Sequence, residues 1–227
     1  MPISWFSRRG TECSINEDAA AISPMADSMV ALITDGARLR GCQKEDKETL
    51  ARYWSRKIVE RIVDECMWNS PGDIISVMQS EQSQLRHAYL HEIASYCFVS
   101  MMINTGDYFV LQCGDCQFGV KSLIGDGATH WLCEPHTLAN HYRLVVPGTE
   151  AISRPKATEN VLTRHLNAKR FHEPFVLKGV LLRSESILLC TDGFWRNNAS
   201  DDMSVLEVSA SYSEIHENSD SGNFLVI

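Results

Sequence analysis

The stretch Met29-Val30-Ala31-Leu32-Ile33-Thr34-Asp35-Gly36 joins an apolar, partly β-branched run to an acidic turn. The run has the composition of a buried β-strand, so the sequence predicts that Asp35 is held at the end of a rigid element. The glycine that follows lets the backbone turn sharply and lets a ligand approach closely. A single Asp-Gly after a strand is a weak signal, because Asp-Gly is also an ordinary turn.

Other short acidic motifs follow the same pattern along the chain. They are Asn16-Glu17-Asp18, Cys113-Gly114-Asp115 and Thr191-Asp192-Gly193, and the last two follow the apolar runs 108–111 and 186–190. Carboxylates that converge from several strands form a site for hard divalent cations, which prefer oxygen ligands. The motifs together therefore predict a carboxylate-lined metal site.

The bulk composition is that of a globular protein in a single domain spanning residues 1–227. Hydrophobic residues make up 44% and charged residues 22% of the chain. The net charge of −8 argues against nucleic acid or an anionic membrane as the main partner. No apolar run reaches the ~18–20 residues that span a bilayer. With no signal-like N-terminus, the eight scattered cysteines indicate reduced thiols and a cytoplasmic protein.

The periodicity predicts two central helices between groups of strands. Leu50, Trp54, Ile58, Ile62 and Cys66 recur every four residues, which predicts an amphipathic helix over 47–67. A second helix, capped by Asp73, is expected to run to about His91, and a short one is expected near 161–164. Strands are expected at 96–103, 108–112, 116–122, 129–133, 175–182, 187–190, 204–208 and 224–227, with two more in the first ~35 residues. This order predicts an α+β domain with mostly antiparallel sheets, in which helices cover the outer faces and the carboxylates gather at one end.

In this order, the motifs resemble those of the type 2C, metal-dependent serine/threonine protein phosphatases. Leu189-Cys190-Thr191-Asp192-Gly193-Phe194-Trp195 is the best match, and Asn16-Glu17-Asp18-Ala19 and Val30 to Ala37 are similar to bacterial members. The resemblance covers nearly the whole chain. It implies a sandwich of two antiparallel β-sheets flanked by α-helices, with a dinuclear metal site at one edge.

The resemblance also implies roles for individual residues. Asp35 would bridge a pair of Mn²⁺ or Mg²⁺ ions, and the Gly36 carbonyl would be a further ligand. Glu17 and Asp18 would be direct or water-mediated partners of the metals, with Asp35, Asp192 and Glu17 as the catalytic set. Asp192 would bind the second ion, and Asp115 would support a weaker third ion or the water shell.

The last metal ligand has two candidates in the sequence. Asp201-Asp202 followed by the strand-like run 203–208 matches the closing motif of the family, and Asp220 before 224–227 matches it less well. Asp201 is preferred. This choice implies that the helix usually found between the last two motifs is missing.

One departure from the family concerns phosphate binding. Cys13 stands where the family often places a phosphate-binding arginine, and Arg8 and Arg9 are the nearby side chains that could substitute for it. The departure affects the expected phosphate affinity more than the expected metal binding.

The expected chemistry is hydrolysis of phosphoserine and phosphothreonine in phosphorylated proteins by a metal-activated water, without a phosphoenzyme. His136 or His141 could protonate the leaving oxygen, by residue type alone. One alternative is a catalytically silent, phosphatase-like binding module, which the missing arginine and helix favour. A weaker alternative is a zinc or redox protein built on the C-x-x-C of Cys113 and Cys116.

Overall fold

Two β-sheets pack against each other in the computed structural model, which describes residues 2–38, 48–125, 127–145, 158–209, 215–219 and 222–227. The first sheet has the strand order β12-β1-β11-β10-β6-β7. Its strands are β1 (Ile3–Arg8), β6 (Gln117–Ser122), β7 (Thr129–Trp131), β10 (Glu185–Cys190), β11 (Met203–Ser209) and β12 (Ile215–Ser219).

The second sheet has the order β13-β2-β3-β4-β5-β9, and a short strand, β8, also pairs with β4. Its strands are β2 (Ala19–Pro24), β3 (Ser28–Arg38), β4 (Glu92–Met102), β5 (Asp107–Cys113), β8 (Leu166–Asn167), β9 (Phe175–Val180) and β13 (Phe224–Val226). The predicted α+β sandwich is therefore confirmed. The structure differs from the expected antiparallel sheets in one respect, because the edge strand β12 pairs in parallel with β1 and the edge strand β13 pairs in parallel with β2.

Strand β3 shows why the opening apolar run has no polar alternation. Ile33 packs in a core between the two sheets, whereas Leu32 packs in a second core beneath the helices. Both faces of the strand are buried, so consecutive residues must be apolar. Thr34 continues the helix-facing side, where its hydroxyl is 2.8 Å from that of Ser55. By the two-residue period of a strand, Asp35 therefore lies on the face toward the first sheet.

The helices are α1 (Leu50–Asp64), α2 (Pro71–Gln82), α3 (Leu138–Val145) and the single turn α4 (Asp192–Trp195). Helix α1 confirms the predicted helix, and its fully buried Leu50, Trp54, Ile58 and Ile62 cover the second sheet. Cys66 lies beyond its end, with a φ of 54°. Helix α2 differs from the prediction because Ser70 caps it, accepting the N–H of Asp73, and because it ends at Gln82.

One short helix was predicted wrongly. The expected helix near 161–164 is absent from these described residues, where Leu162 instead forms an isolated bridge with Thr137. Helix α3 lies between 133 and 161, where the sequence analysis predicted neither a helix nor a strand. Within the described ranges, no helix is both long and apolar enough to cross a bilayer.

Candidate metal centre

The strand registers bring the acidic motifs to one edge of both sheets. In the second sheet Ala19 pairs with Thr34, and Asp35 pairs with Ser95. In the first sheet Cys190 stands between Gln117 and Val205. The carboxylates that precede or follow these positions therefore meet at the same edge, namely those of Asp18, Asp35, Asp115, Asp192 and Asp201.

The electrostatics of Asp35 reflect this convergence. Burial, together with the charges of Asp18, Asp192, Asp115 and Asp201, raises the pKa of Asp35 well above its ordinary value. Burial, followed by Asp115 and Asp201, raises the pKa of Asp192 to about 6. Like charges this close disfavour simultaneous ionisation unless a cation compensates them.

Among the described residues, Asp18 has one carboxylate oxygen without a hydrogen-bond partner. Its side chain is almost fully buried, at 2% exposure. The Thr191 hydroxyl donates to Oδ2 at 3.0 Å, whereas no described group donates to the buried Oδ1. A buried carboxylate oxygen of this kind calls for a proton or a cation.

Asp202, which the sequence analysis did not single out, fixes the loop before Asp18. Its Oδ1 accepts the N–H of Gly10 at 2.8 Å, and its Oδ2 accepts the N–H of Glu17 at 2.7 Å. Both oxygens are therefore committed to the backbone, so Asp202 is a positioning residue. Its only sequence signal was its place beside Asp201.

Glu17 forms an ion pair with an arginine side chain of the protein. Its Oε1 lies 2.6 Å from Nε of Arg38, a residue that the sequence analysis missed. Burial raises the pKa of Glu17 to about 7, and the positive charge of Arg38 partly opposes this shift. A Cβ on Gly36 would lie 2.8 Å from the carbonyl oxygen of Glu17, so the two backbones approach as closely as glycine allows. Direct ligation by Glu17 or by the Gly36 carbonyl stays a prediction.

A second guanidinium that the sequence analysis missed lies beside Asp192 and Asp115. Arg196 Nε is 3.5 Å from Oδ2 of Asp192, and its Nη2 is 3.7 Å from Oδ2 of Asp115. The other oxygen of Asp115 accepts the Ser95 hydroxyl at 2.6 Å. The feature of the sequence that could have revealed this ion pair is the four-residue spacing from Asp192 to Arg196.

The residues considered for phosphate binding have other contacts. Arg8 is exposed, with Nη2 3.2 Å from the Met203 sulfur, and Arg9 donates to the Ser14 carbonyl at 3.0 Å. The Cys13 thiol lies 3.9 Å from the Ser200 carbonyl. Burial and the charge of Asp202 raise the pKa of Cys13 to about 12, so this thiol is neutral.

His136 has a structural contact in place of the acid role considered for it. Its Nδ1 accepts the N–H of Gly114 at 3.2 Å, which supports the Asp115 turn. Burial and the nearby Arg164 charge lower the pKa of His136 to about 4, so at neutral pH its side chain is the neutral imidazole, which is a weak general acid. His141 is exposed on α3.

Asp220, the other candidate for the last metal ligand, lies outside the described residues.

The C-x-x-C cysteines do not form a shared site. Cys113 packs in the core beneath the helices, and Cys116 packs in the core between the sheets. Burial raises the pKa of Cys113 to about 12 and that of Cys116 well above its ordinary value. Buried neutral thiols in separate cores fit neither a zinc site nor a redox pair.

The donor chemistry of this edge fits a divalent cation, although the side chains do not enclose one as they stand. In the part of the chain that the structure describes, no three His, Cys, Asp or Glu side chains stand in a geometry that holds a metal ion. The unpartnered Asp18 Oδ1 and the mutual repulsion around Asp35 nevertheless call for positive charge. The residues that fit the donor set are Asp18, Asp35, Asp192 and Asp201.

Comparison with solved structures identifies the fold. No protein-family model and no curated protein matches the chain. The serine/threonine phosphatase of S. agalactiae is 14% identical, with a TM-score of 0.68 over 92% of this chain and 99% of that one. The PPM Ser-Thr phosphatase MsPP from Mycobacterium smegmatis, in complex with cacodylate, is 15% identical, with a TM-score of 0.70 over 91% and 97%.

A more distant neighbour is RsbX in complex with magnesium, which is 10% identical with a TM-score of 0.55 over 89% of this chain and 92% of that one. At these identities the likeness shows the fold alone. The chain therefore has the fold of the bacterial PPM-type serine/threonine phosphatases, which confirms the resemblance in the sequence at the level of architecture.

Proposed function

We propose that this chain is a metal-dependent serine/threonine protein phosphatase, formed by one domain over residues 1–227. Its substrates would be proteins carrying phosphoserine or phosphothreonine. The fold of the PPM phosphatases supports this proposal, and the acidic edge supplies the chemistry.

The observation that carries the proposal is the buried Asp18 Oδ1, which has no hydrogen-bond partner in the described part of the chain and lies among carboxylates from several strands. Five converging carboxylates in one protein edge are costly to a fold unless positive charge offsets them. A site of this kind is maintained for cation binding, because packing alone would favour neutral residues.

The chain's own residues have separate roles in this proposal. Asp18, Asp35, Asp192 and Asp201 would hold a pair of Mn²⁺ or Mg²⁺ ions. Such ions supply a water of lowered pKa and neutralise charge on the phosphoryl oxygens. The Thr191 hydroxyl orients Asp18, and Asp202 fixes the backbone that presents it. No protein nucleophile is needed, so no phosphoenzyme is expected.

The test is hydrolysis of a phosphothreonine peptide with and without Mn²⁺, by the unmodified chain and by Asp35→Asn. Asp27→Asn is the matched control, because Asp27 is exposed at the opposite end of β3, where it contacts Asn104. We expect Mn²⁺-dependent activity that Asp35→Asn abolishes and Asp27→Asn retains. Equal activity in both variants would refute the role of Asp35.

The second candidate function is a silent, phosphatase-like binding module. Position 13 favours this candidate, because a neutral cysteine thiol stands there in place of a phosphate-binding arginine. The thiol contacts the Ser200 carbonyl. This candidate predicts a folded protein that binds Mn²⁺ in calorimetry but hydrolyses neither the peptide nor p-nitrophenyl phosphate. Metal-dependent turnover would exclude it.

A further inference from the structure

The Arg196 guanidinium is built into the acidic edge. It follows the single-turn helix α4 and lies within ion-pairing distance of the Oδ2 atoms of both Asp192 and Asp115, at 3.5 and 3.7 Å. Its buried Nε makes no hydrogen bond within the described residues, and it interacts with the Asp192 carboxylate through charge at 3.5 Å.

Contacts outside the acidic edge hold the same guanidinium in place. Its Nη1 donates to Oδ1 of Asn160 at 2.6 Å, and its Nη2 donates to the Glu159 carbonyl at 3.2 Å. It also lies over the Trp195 ring, 4.7 Å from the centroid. A planar guanidinium fixed by two acceptors and a ring is preorganised, and it loses little freedom in pairing with the two carboxylates.

These contacts argue against a phosphate-binding role for the side chain and bear on metal binding at the same oxygens. Its N–H groups already face Asn160, Glu159 and the two carboxylates, so few remain for gripping a phosphate. A divalent ion on Oδ2 of Asp115 or Asp192 would stand about 2.0–2.6 Å from that oxygen. An ion at that distance would compete directly with the guanidinium for the same atoms.

We propose that Arg196 is the resident counter-cation between Oδ2 of Asp115 and Oδ2 of Asp192, and that a third divalent ion binds between these two atoms only when the guanidinium is removed. The inference rests on the proposed function in assigning the metal pair to Asp18, Asp35, Asp192 and Asp201. It replaces the third ion that Asp115 was expected to support with a charge from the chain itself.

The test counts Mn²⁺ ions per chain by isothermal titration calorimetry, independently of activity. We expect Arg196→Gln to bind about one further Mn²⁺ per chain, because two carboxylates lose their cation. Arg196→Lys, which keeps the positive charge, is the matched control and should bind the same number as the unmodified chain. The double variant Arg196→Gln/Asp115→Asn should lose the additional ion.

The single variant Asp115→Asn gives a second test, which does not depend on whether the Arg196 variants fold. If Arg196 already neutralises Asp115, this variant leaves the Mn²⁺ count unchanged. A lower count in Asp115→Asn, or an unchanged count in folded Arg196→Gln, would overturn the inference. So would weaker binding of inorganic phosphate by Arg196→Gln with the Mn²⁺ count unaltered.

The proposed function is tested separately, by Mn²⁺ binding to Asp35→Asn. Loss of Mn²⁺ binding in Asp35→Asn supports the metal pair whatever Arg196 does. If the unmodified chain binds no Mn²⁺ but Arg196→Gln binds one ion, the metal pair is refuted and the role of Arg196 stands.

Discussion

The carboxylate of Asp202 accepts the backbone N–H of Glu17 at 2.7 Å, across 185 positions of sequence. Its other oxygen accepts the N–H of Gly10. This one side chain therefore ties the start of β11 to the loop that presents Asp18. The neighbouring Asp201 instead accepts only the N–H of Asp202 among the described hydrogen bonds.

Asp202→Asn is expected to destabilise the fold by about 1–3 kcal/mol, because an amide NH₂ would face one of the two buried N–H groups. Asp201→Asn is the matched control and should cost less stability while weakening Mn²⁺ binding. Urea denaturation of the metal-free proteins measures the difference. Equal stability losses in the two variants would contradict the positioning role of Asp202.

The stability of the metal-free protein should fall as pH rises from about 4 to about 7. The reason is that the folded state raises the pKa of Asp192 to about 6 and that of Glu17 to about 7, so it binds protons more tightly than the unfolded chain, whose carboxyls titrate near 4. Thermal denaturation in EDTA between pH 4 and 8 measures the slope.

Mn²⁺ should reverse this trend and stabilise the protein most at the upper end of the range, where the carboxylates are ionised. Asp192→Asn should flatten the EDTA profile near pH 6. A metal-free protein that becomes more stable from pH 5 to pH 8 would show that these carboxylates are already compensated.

Gly193→Ala is expected to destabilise the protein by about 1–3 kcal/mol or more, because the added Cβ would overlap the carbonyl oxygen of Asp202. Backbone cannot move aside as a flexible side chain can. Gly72→Ala in α2 is the control, since its Cβ would meet nothing closer than the Ser70 hydroxyl at 3.8 Å. That variant should be neutral or slightly stabilising. Calorimetric unfolding of both variants gives the comparison.

Cysteine reactivity should follow burial. Cys42 lies outside the described residues, so it is replaced by serine in this test. We then expect Ellman's reagent to modify the exposed Cys66 quickly and Cys113 and Cys116 only after unfolding in guanidinium. Cys66→Ser is the control that removes the fast phase. Stoichiometric zinc that is lost in Cys113→Ser would instead restore the zinc hypothesis.

Elements with strong local periodicity could be predicted from the sequence. The doubly buried β3 and the four-residue repeat of α1 have patterns that each dictate one type of element. The edge strand β12 could not be predicted, because His216-Glu217-Asn218 has no apolar alternation and its pairing with β1 is set by distant residues. The wrong helix near 161–164 has a related cause, since Leu162 pairs with Thr137, which is remote in sequence.

The sequence by itself determined an α+β domain of mostly antiparallel sheets with carboxylates at strand ends, because burial periods and turn residues are local properties of the chain. Only the tertiary structure decided how each carboxylate is compensated. Glu17 pairs with Arg38, and Asp115 and Asp192 pair with Arg196. Asp202 accepts two backbone N–H groups, whereas Asp18 has one oxygen that no described group contacts by a hydrogen bond. These differences arise from strand register, which sets distances between charges far apart in sequence, and Coulomb interactions depend on those distances.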